Sequence, residues 1–326
     1  MPTIIETNMQ SKSGFEFVKK RAELHQQPAR KYPTRGVIAF ALLVYGGFLG
    51  IDLGNKLPTF ACVYNTDARG GVCFLGMLQY SLNHTWQTLM GFTGIMFFVS
   101  FIIFILWFLV FNKAWCGYIC PLGTIQDWIT KLRQRLKVDY SGYTWGVRDK
   151  LKQIKWILLV LLILLPLGIS NSLPGLPELS ADLSMPFCKI CPARTLVPLF
   201  AGNINQFYID FSTKTAIVMT TLGMIVLGIT LTGAFVKKRF FWLFCPFSAL
   251  HYVFTKAALL KLTKDGSKCT RCGDCYRACD MEIREIADDV ENKNIVKEDC
   301  MMCFKCVAAC PEEKCLKVSF LNVPIY

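Results

Sequence analysis

Four long apolar segments are separated by charged connections along this chain. They cover residues 36–57, 89–111, 156–176 and 215–236. Each is long enough to cross the hydrocarbon core of a bilayer, which takes about 20 helical residues. The first is the weakest of the four, because Asp52 and Lys56 lie near its end. The pattern predicts four transmembrane helices joined by short connections.

Lysine and arginine residues indicate which side of the membrane each connection faces. They are dense in the N-terminal arm, between the second and third segments, and after the fourth segment, where Lys237, Lys238 and Arg239 follow one another. The first and third connections carry few. Because short cytoplasmic connections carry the excess of lysine and arginine, we expect both termini to be cytoplasmic. The prediction is a multi-pass protein of a bacterial-type inner (cytoplasmic) membrane.

Composition supports a membrane protein. The 326-residue chain is 53% hydrophobic and 18% charged, which is too apolar for an ordinary soluble domain. Its net charge of +13 comes mostly from the connections and would also attract anionic lipid. Because the basic residues flank membrane spans, no nucleic-acid partner is expected. No small-residue cleavage site follows the first apolar segment, which favours an uncleaved helix over a secretory signal.

From Lys261 onward the chain becomes polar and rich in cysteine. Two runs, CTRCGDCYRACD and CMMCFKCVAACP, share the spacing C-x2-C-x2-C-x3-C. In bacterial two-cluster ferredoxins with this spacing, the fourth cysteine of one run ligates the other cluster. The predicted ligands are Cys269, Cys272, Cys275 and Cys310 for cluster 1, and Cys300, Cys303, Cys306 and Cys279 for cluster 2. Asp280 stands where the second run has Pro311, which removes no ligand.

The alternatives for these eight cysteines are zinc sites and disulfides. Zinc sites usually take four thiolates in two pairs, and disulfides are rare in the cytosol. We therefore interpret the two runs as ligands of two [4Fe–4S] clusters.

A Cys-Pro pair follows the second apolar segment, and another follows the fourth. The stretches CPLGTIQDWITK and CPFSALHYVFTK, which begin at Cys120 and Cys245, align so that each ends in Thr-Lys. Two repeated helical hairpins are therefore expected, with equivalent elements around one axis. Cys116, Cys120 and Cys245 are then expected to converge on the inner side as a metal or redox site. Three incidental core thiols are the alternative.

These patterns predict a mostly α membrane protein with four transmembrane helices, arranged as two repeated hairpins, and a small C-terminal α+β domain that holds two clusters. The expected domains are a cytoplasmic arm over residues 1–35, a four-helix membrane domain over residues 36–260 and a cytoplasmic 2[4Fe–4S] ferredoxin domain over residues 261–326.

The combination of a C-x3-C-P motif at Cys116, a second Cys-Pro pair at Cys245 and two terminal ferredoxin runs resembles the NapH-type membrane ferredoxins. Relatives occur in the C-terminal half of NosR-type proteins. The resemblance covers residues 36–320. It implies an electron carrier that takes electrons from membrane quinol toward periplasmic reductases, or one that supports the maturation of redox enzymes.

The chain departs from this family in one inner motif. The family has C-x3-C-P in both halves, whereas here Phe241 stands four residues before Cys245. Three inner thiols remain. Cys315, beyond the second ferredoxin run, would be either a fourth inner ligand or a buried free thiol.

Four further cysteines fall in the connections expected on the outer side: Cys62, Cys73, Cys188 and Cys191. They would bind one more iron–sulfur cluster or, in an oxidising exterior, form two disulfides. The C-x2-C-P spacing of the second pair favours converging thiolates. We expect about 30 Å of hydrocarbon between such an outer site and the inner one. A quinone or the cofactor of a partner would have to bridge that gap.

Two polar residues on the inner Cys-Pro segments are candidates for quinone chemistry. His251 and Asp127 lie on equivalent segments, and both side chains can accept protons released by quinol oxidation. Ordinary polar residues at a membrane interface are the alternative.

The chain contains no G-x-G-x-x-G turn and no P-loop, so substrate turnover is expected on a partner. The predicted function is that of a membrane-bound, quinol dehydrogenase-like iron–sulfur electron-transfer subunit. It would link the quinone/quinol pool to periplasmic or cytoplasmic redox subunits within a hetero-oligomeric complex. The alternative is an assembly or maturation factor that supplies electrons or metal to another redox enzyme.

Overall fold

The computed structural model describes residues 62–64, 73–138, 145–170, 183–201 and 203–325. Within them, three helices are long and apolar enough to cross a membrane: Gly94–Phe111, Lys150–Ile169 and Lys214–Val236. They correspond to the second, third and fourth predicted spans, which makes the chain a multi-pass membrane protein. The first predicted span, over residues 36–57, lies outside the described residues. The fourth span and the two-hairpin repeat therefore stay predictions.

Nine α-helices precede the ferredoxin domain in the described part of the chain. They are α1 (Phe74–Leu82), α2 (Trp86–Leu89), α3 (Phe92–Phe111), α4 (Pro121–Arg135), α5 (Trp145–Ser170), α6 (Pro186–Ile190), α7 (Ala193–Leu196), α8 (Lys214–Val236) and α9 (Pro246–Phe254). A π-helical turn, Trp115–Ile119, precedes α4, and 3₁₀ turns occupy Pro198–Ala201 and Phe240–Leu243.

The ends of these helices follow from local sequence. Helix α3 contains 20 residues and no charge, so its whole surface tolerates lipid or apolar neighbours. Helix α8 is capped by Thr213, whose side-chain oxygen accepts a hydrogen bond from the Ala216 N–H at 3.0 Å. Helices α4 and α9 each begin with a proline at the first helical position, directly after a cysteine.

The connections expected as outer loops fold back into the membrane domain. The ring of Phe74, at the start of α1, stacks on Phe104 of α3 with ring centroids 4.1 Å apart. Phe104 lies seven residues before the end of α3, or about 10 Å along the axis. A Cβ atom on Gly223, near the middle of α8, would lie 2.7 Å from the Lys189 carbonyl oxygen of α6. Helices α1 and α6 are therefore re-entrant segments that reach the middle of the spanning helices.

The C-terminal part combines a small sheet with short helices. Strands β1 (Leu260–Lys264), β2 (Leu316–Phe320) and β3 (Val323–Pro324) form an antiparallel sheet in the order β1-β2-β3. Leu260 pairs with Phe320, and Lys264 pairs with Leu316. Helices α10 (Asp274–Arg277), α11 (Glu285–Asp288) and α12 (Lys305–Ala309) lie between β1 and β2.

A buried ion pair joins this part to the membrane domain. Lys155 of α5 is fully buried, and its ammonium nitrogen lies 2.7 Å from Asp299 Oδ1 and 2.9 Å from Glu298 Oε1. The adjacent Trp156 indole N–H donates to the same Glu298 oxygen at 2.6 Å. Because buried charges are stable only when paired, these contacts fix the ferredoxin domain against the end of α5.

Candidate iron–sulfur centres

The two ferredoxin runs adopt the same backbone conformation. Arg271 and Met302, each two residues after the first cysteine of its run, have φ values of 54° and 50°. Gly273 and Phe304, each directly after the second cysteine, have φ values of 76° and 58°. Alternation of right- and left-handed residues turns successive backbone N–H groups toward a common centre, which suits an anionic cluster. The sequence repeat is therefore also a structural repeat.

Each run shares a cavity with the last cysteine of the other run. One cavity is lined by Cys279, Cys300, Cys303 and Cys306. The other is lined by Cys269, Cys272, Cys275 and Cys310. These are the two ligand sets expected from the spacing, in which the fourth thiolate crosses from run to run. Four thiols around a cavity fit an iron–sulfur cube.

A single metal ion fits the described residues less well. No group of three or more histidine, cysteine or acidic side chains in the described part is arranged to hold one ion. Zinc needs its thiolates about 2.3 Å from one centre, whereas these thiols surround a cavity. Burial raises the pKa of Cys275 and Cys279 to about 12 and that of Cys300 to about 11. Cluster binding would thus displace protons from these thiols.

Cys315 lies in the wall of the cluster 1 cavity. It is buried, and its sulfur lies 3.6 Å from the Asp265 carbonyl oxygen. A hydrogen bond from the Cys315 thiol lowers the pKa of Cys310. Its neighbours Asp265, Cys269 and Cys310 belong to the ferredoxin domain, which favours a buried thiol over an inner ligand beside Cys116.

The cluster 2 cavity lies directly against the C-x3-C-P segment of the membrane domain. The Tyr118 hydroxyl donates to the Cys303 carbonyl oxygen at 3.0 Å. A Cβ atom on Gly117 would overlap the Met301 carbonyl oxygen. Cys116 belongs to the same buried apolar cluster as Cys300, Met301 and Met302.

The structure brings Cys120 and Cys245 together, as the sequence predicts. Both pack against one apolar cluster of Leu122, Leu196, Leu227 and Phe241. Phe241, which stands where the family has a cysteine, is part of this cluster and is 6% exposed. Cys116 is near enough to both thiols to interact with them electrostatically.

His251 is buried beside Cys116, with its Nδ1 atom 3.4 Å from the Cys116 sulfur. Its ring packs on Phe104, Phe108 and Phe247, with centroids 5.9, 4.2 and 4.2 Å away. The aromatic rings enclose the imidazole, so its polar contact is with a thiol of the membrane domain.

Asp127 forms a bidentate pair with Arg239. The guanidinium Nε and Nη2 atoms lie 2.8 and 2.6 Å from its two carboxylate oxygens. Arg239 is 2% exposed, has a φ of 51° and also donates to the carbonyl oxygens of Cys116 and Gly117 at 3.1 and 3.3 Å. The pair therefore holds the C-x3-C-P segment in place, and the carboxylate is already engaged by a cation.

The four cysteines expected on the outer side also belong to this thiol group. Cys191 packs on the same apolar cluster as Cys120 and Cys245. Cys73 interacts electrostatically with Cys120 and Cys245, and Cys62 and Cys188 interact with Cys73. The expected separation of about 30 Å between outer and inner sites is therefore wrong, because α1 and α6 re-enter the membrane domain. All sixteen cysteines of the chain are described, and none forms a disulfide.

Four residues of the site were not predicted from the sequence. Lys155, Arg239, Gln79 and Gln126 are buried polar residues that fix segments against one another. Lys155 and Arg239 belong to basic connections in the sequence, which does not indicate their ion-pair partners. The glutamines could have been found from the shared pattern C-x-L-G-x-x-Q after Cys73 and Cys120.

Comparison with known protein families gives two matches. A 4Fe-4S binding domain matches residues 93–138, and a 4Fe-4S dicluster domain matches residues 261–311. The first match includes Cys116 and Cys120, and the second includes both ferredoxin runs completely, residues 269–280 and 300–311. No solved structure matches the chain.

Three curated relatives are about a quarter identical to this chain over the residues that align. The regulatory protein NosR of Pseudomonas aeruginosa is 26% identical over 66% of the chain and 27% of its own length. The putative electron transport protein YccM of Escherichia coli is 24% identical over 66% of the chain and 54% of its own length. The ferredoxin-type protein NapH of Escherichia coli is 24% identical over 65% of the chain and 64% of its own length.

These matches agree with the geometry of the thiols and with the three apolar helices. The matched regions span less than two thirds of each of these three relatives. The predicted resemblance is confirmed at the level of the ferredoxin-type electron-transport proteins with 4Fe–4S domains. The chain is thus similar to the ferredoxin-type protein NapH and to NosR, and it carries two regions that match 4Fe–4S domains.

Proposed function

We propose that this protein carries electrons between the quinone/quinol pool and a redox partner protein through clusters in its ferredoxin domain. The observation that supports it best is the docking of the cluster 2 cavity on the C-x3-C-P segment. Tyr118 contacts the backbone of Cys303, and Cys116 and Cys300 share one buried apolar cluster. Electrons would thus pass between cluster 2 and a quinone in the membrane domain without crossing water.

The proposed ligands are those that line the two cavities. Cluster 1 takes Cys269, Cys272, Cys275 and Cys310, and cluster 2 takes Cys279, Cys300, Cys303 and Cys306. Bound clusters supply one-electron redox chemistry. The chain itself orients them and surrounds cluster 2 with the apolar side chains of Met301, Met302 and Ile283. In this proposal the ferredoxin domain is cytoplasmic, as the charge pattern of the connections predicts.

An apolar pocket between α5 and α8 supports a quinone as the lipid-soluble reactant. Leu161, Leu165, Leu222 and Ile229 line it together with Cys191 and other apolar residues. Apolar walls with a few polar groups are typical of sites for hydrophobic ligands. Cys191 connects this pocket to the thiol group described above.

The experiment uses the full chain, purified anaerobically in mild detergent or nanodiscs. A short-chain quinol is added to the oxidised protein and a short-chain quinone to the reduced protein, while the cluster signals are followed by EPR. The proposal predicts cluster reduction or oxidation, which identifies the direction of transfer. Clusters that react with dithionite but with neither quinol nor quinone would contradict it and would favour a role in assembly of another redox enzyme.

A further inference from the structure

Two glutamines make the same contact at two places in the membrane domain. Gln79 of α1 and Gln126 of α4 each lie six residues after a cysteine, Cys73 and Cys120. The Gln79 Nε2 atom donates to the Leu75 carbonyl oxygen at 3.0 Å. The Gln126 Nε2 atom donates to the equivalent carbonyl oxygen one turn back, that of Leu122, at 3.2 Å.

The other end of each glutamine reaches an equivalent residue in the second half of the chain. The Gln79 Oε1 atom accepts a hydrogen bond from the Phe187 N–H at 3.1 Å. The Gln126 Oε1 atom accepts one from the Phe241 N–H at 3.0 Å. Phe187 and Phe241 each stand four residues before a Cys-Pro pair, at Cys191 and Cys245. The membrane domain is therefore built from two copies of one contact between a cysteine-led helix and an F-x3-C-P segment.

One copy belongs to the re-entrant segments, and the other belongs to the segments beside the ferredoxin domain. The first pairs α1 with α6, and the second pairs α4 with the 3₁₀ turn that precedes Cys245. Both copies meet near the middle of the spanning helices, because Leu227 of α8 packs in one cluster with Cys120, Cys191 and Cys245. Repeats that face each other in this way place their shared site near the bilayer midplane.

The cysteines of the two copies come together at this point. Cys120, Cys191 and Cys245 pack against one apolar cluster, and Cys73 lies near Cys120 and Cys245. Backbone N–H groups of the residues that follow also lie next to each of these thiols. Three of the four directly precede a helix of nine residues or more: Cys73, Cys120 and Cys245.

We propose that Cys73, Cys120, Cys191 and Cys245 together bind one iron–sulfur cluster, with one thiolate from each of the four repeated segments. This inference deepens the proposed function, on which it rests, by adding a redox centre inside the membrane domain. Four thiolates are the full ligand set of such a cluster.

Three other cysteines also lie near these four, but none stands at a position that carries cysteine in both copies of the contact: Cys62, Cys116 and Cys188. Cys188 accepts a hydrogen bond from Gln79 Nε2 at 2.9 Å, and Cys116 contacts His251. Cys62 precedes the cysteine-led helices and has no counterpart in the repeated pattern. Cys116 lies between the proposed centre and cluster 2. Reduction of the proposed centre by one electron would accompany oxidation of cluster 2 by one electron, and neither step needs a proton.

The first measurement is the iron and acid-labile sulfide content of the full chain, purified anaerobically. The two ferredoxin clusters account for eight irons. The proposal predicts about ten or twelve irons per chain, for a two-iron or a four-iron centre, together with an EPR or Mössbauer signal separate from both ferredoxin clusters. A wild-type content of only eight overturns it, whether or not any variant folds.

The second measurement compares single Cys→Ser variants. Cys73→Ser, Cys120→Ser, Cys191→Ser and Cys245→Ser are each expected to lose the same increment of two or four irons and the same signal. Cys62→Ser and Cys188→Ser are the matched controls and are expected to keep full iron. Persistence of both ferredoxin signals confirms that a variant is folded.

Two patterns contradict the proposal. Loss of iron in Cys62→Ser and Cys188→Ser together with Cys73→Ser and Cys191→Ser, but not in Cys120→Ser or Cys245→Ser, would assign a separate site to the re-entrant segments. Loss of iron only in Cys120→Ser and Cys245→Ser would assign the site to the segments beside the ferredoxin domain. An eight-iron protein that still exchanges electrons with quinol would defeat this inference and leave the proposed function standing.

Discussion

The Tyr118 hydroxyl lies 3.0 Å from the carbonyl oxygen of Cys303 and donates a hydrogen bond to it. Tyr118 belongs to the C-x3-C-P segment of the membrane domain, and Cys303 is a proposed ligand of cluster 2. Their contact places the ferredoxin domain on the membrane domain at one defined position.

Gly117 of the membrane domain lies in close contact with Met301 of the ferredoxin domain. Gly117→Ala adds a Cβ atom that would overlap the Met301 carbonyl oxygen. Overpacking of this kind costs about 1–3 kcal/mol, so the variant is expected to release the ferredoxin domain at a lower temperature and to slow electron exchange with quinol. Limited proteolysis during a temperature series measures the release.

Gly228→Ala is the matched control, because a Cβ atom at Gly228 of α8 would meet no atom within 4 Å. Equal protease resistance of the Gly117 and Gly228 variants and the wild type would show that the close approach at Gly117 does not fix the domain.

The grouping of the ferredoxin cysteines around two cavities agrees with the sequence prediction, because it depends on local spacing. The cross-over of Cys279 and Cys310 between the two cavities follows from the same spacing. The re-entrant course of α1 and α6 was not predicted, because both are short and lie between apolar spans. Hydropathy indicates which residues cross a membrane, but it does not indicate that a nine-residue helix such as α1 turns back into it.

The long-range ion pairs could not be predicted from the sequence either. Lys155 was read as a charge of a basic connection, whereas the structure pairs it with Asp299 of the ferredoxin domain, 144 residues away. Asp127 was read as a candidate proton acceptor, whereas its partner Arg239 follows α8. Partner choice over such distances depends on tertiary structure and leaves no periodic signal in the sequence.

Replacement of Lys155 is expected to destabilise the protein strongly. Lys155→Met leaves the carboxylate of Asp299, which is only 6% exposed, without its cation. Breaking a buried pair costs about 3–5 kcal/mol, because the remaining charge stays buried. The thermal unfolding midpoint in detergent should fall clearly, and Lys155→Met/Asp299→Asn should recover part of the loss.

Lys268→Met is the control for that variant, since the side chain of Lys268 is 47% exposed and lies 3.8 Å from Asp265. We expect no measurable change in its unfolding midpoint. A Lys155→Met protein as stable as wild type would mean that the pair with Asp299 does not hold the domains together.

Cys310 is expected to serve the cluster of the first run, although it belongs to the second. Cys310→Ala should therefore remove or convert cluster 1 and leave cluster 2 intact, as measured by iron content and EPR. Cys310→Ala/Cys272→Ala should lose no more than one cluster, whereas Cys310→Ala/Cys303→Ala should lose both. If Cys310→Ala instead abolished the signal that Cys303→Ala abolishes, each run would hold its own cluster.

Cys315 is expected to tune cluster 1 without ligating it. Its thiol lies beside Cys310, and hydrogen bonds to ligand sulfurs raise the reduction potential of a cluster. Removal of one hydrogen bond of about 1 kcal/mol corresponds to about 40 mV for one electron. Cys315→Ala should therefore lower the potential of cluster 1 by up to about 40 mV in an EPR-monitored redox titration.

Cys315→Ser retains a donor and should stay closer to the wild-type potential. Both variants should keep full iron. Loss of iron from Cys315→Ala but not from a control such as Cys62→Ala would identify Cys315 as a ligand and contradict the tuning role.

The depth at which α1 and α6 meet α3 and α8 also has an electrical consequence. An electron on the cluster proposed for these thiols, near the middle of the spanning helices, would lie partway through the transmembrane field, which is worth about 2.3 kcal/mol per charge per 100 mV across the whole bilayer. At mid-depth about half of this, or about 1 kcal/mol per 100 mV, would add to or oppose each transfer. Electron exchange between the ferredoxin domain and these thiols would therefore depend on the voltage of an energised membrane.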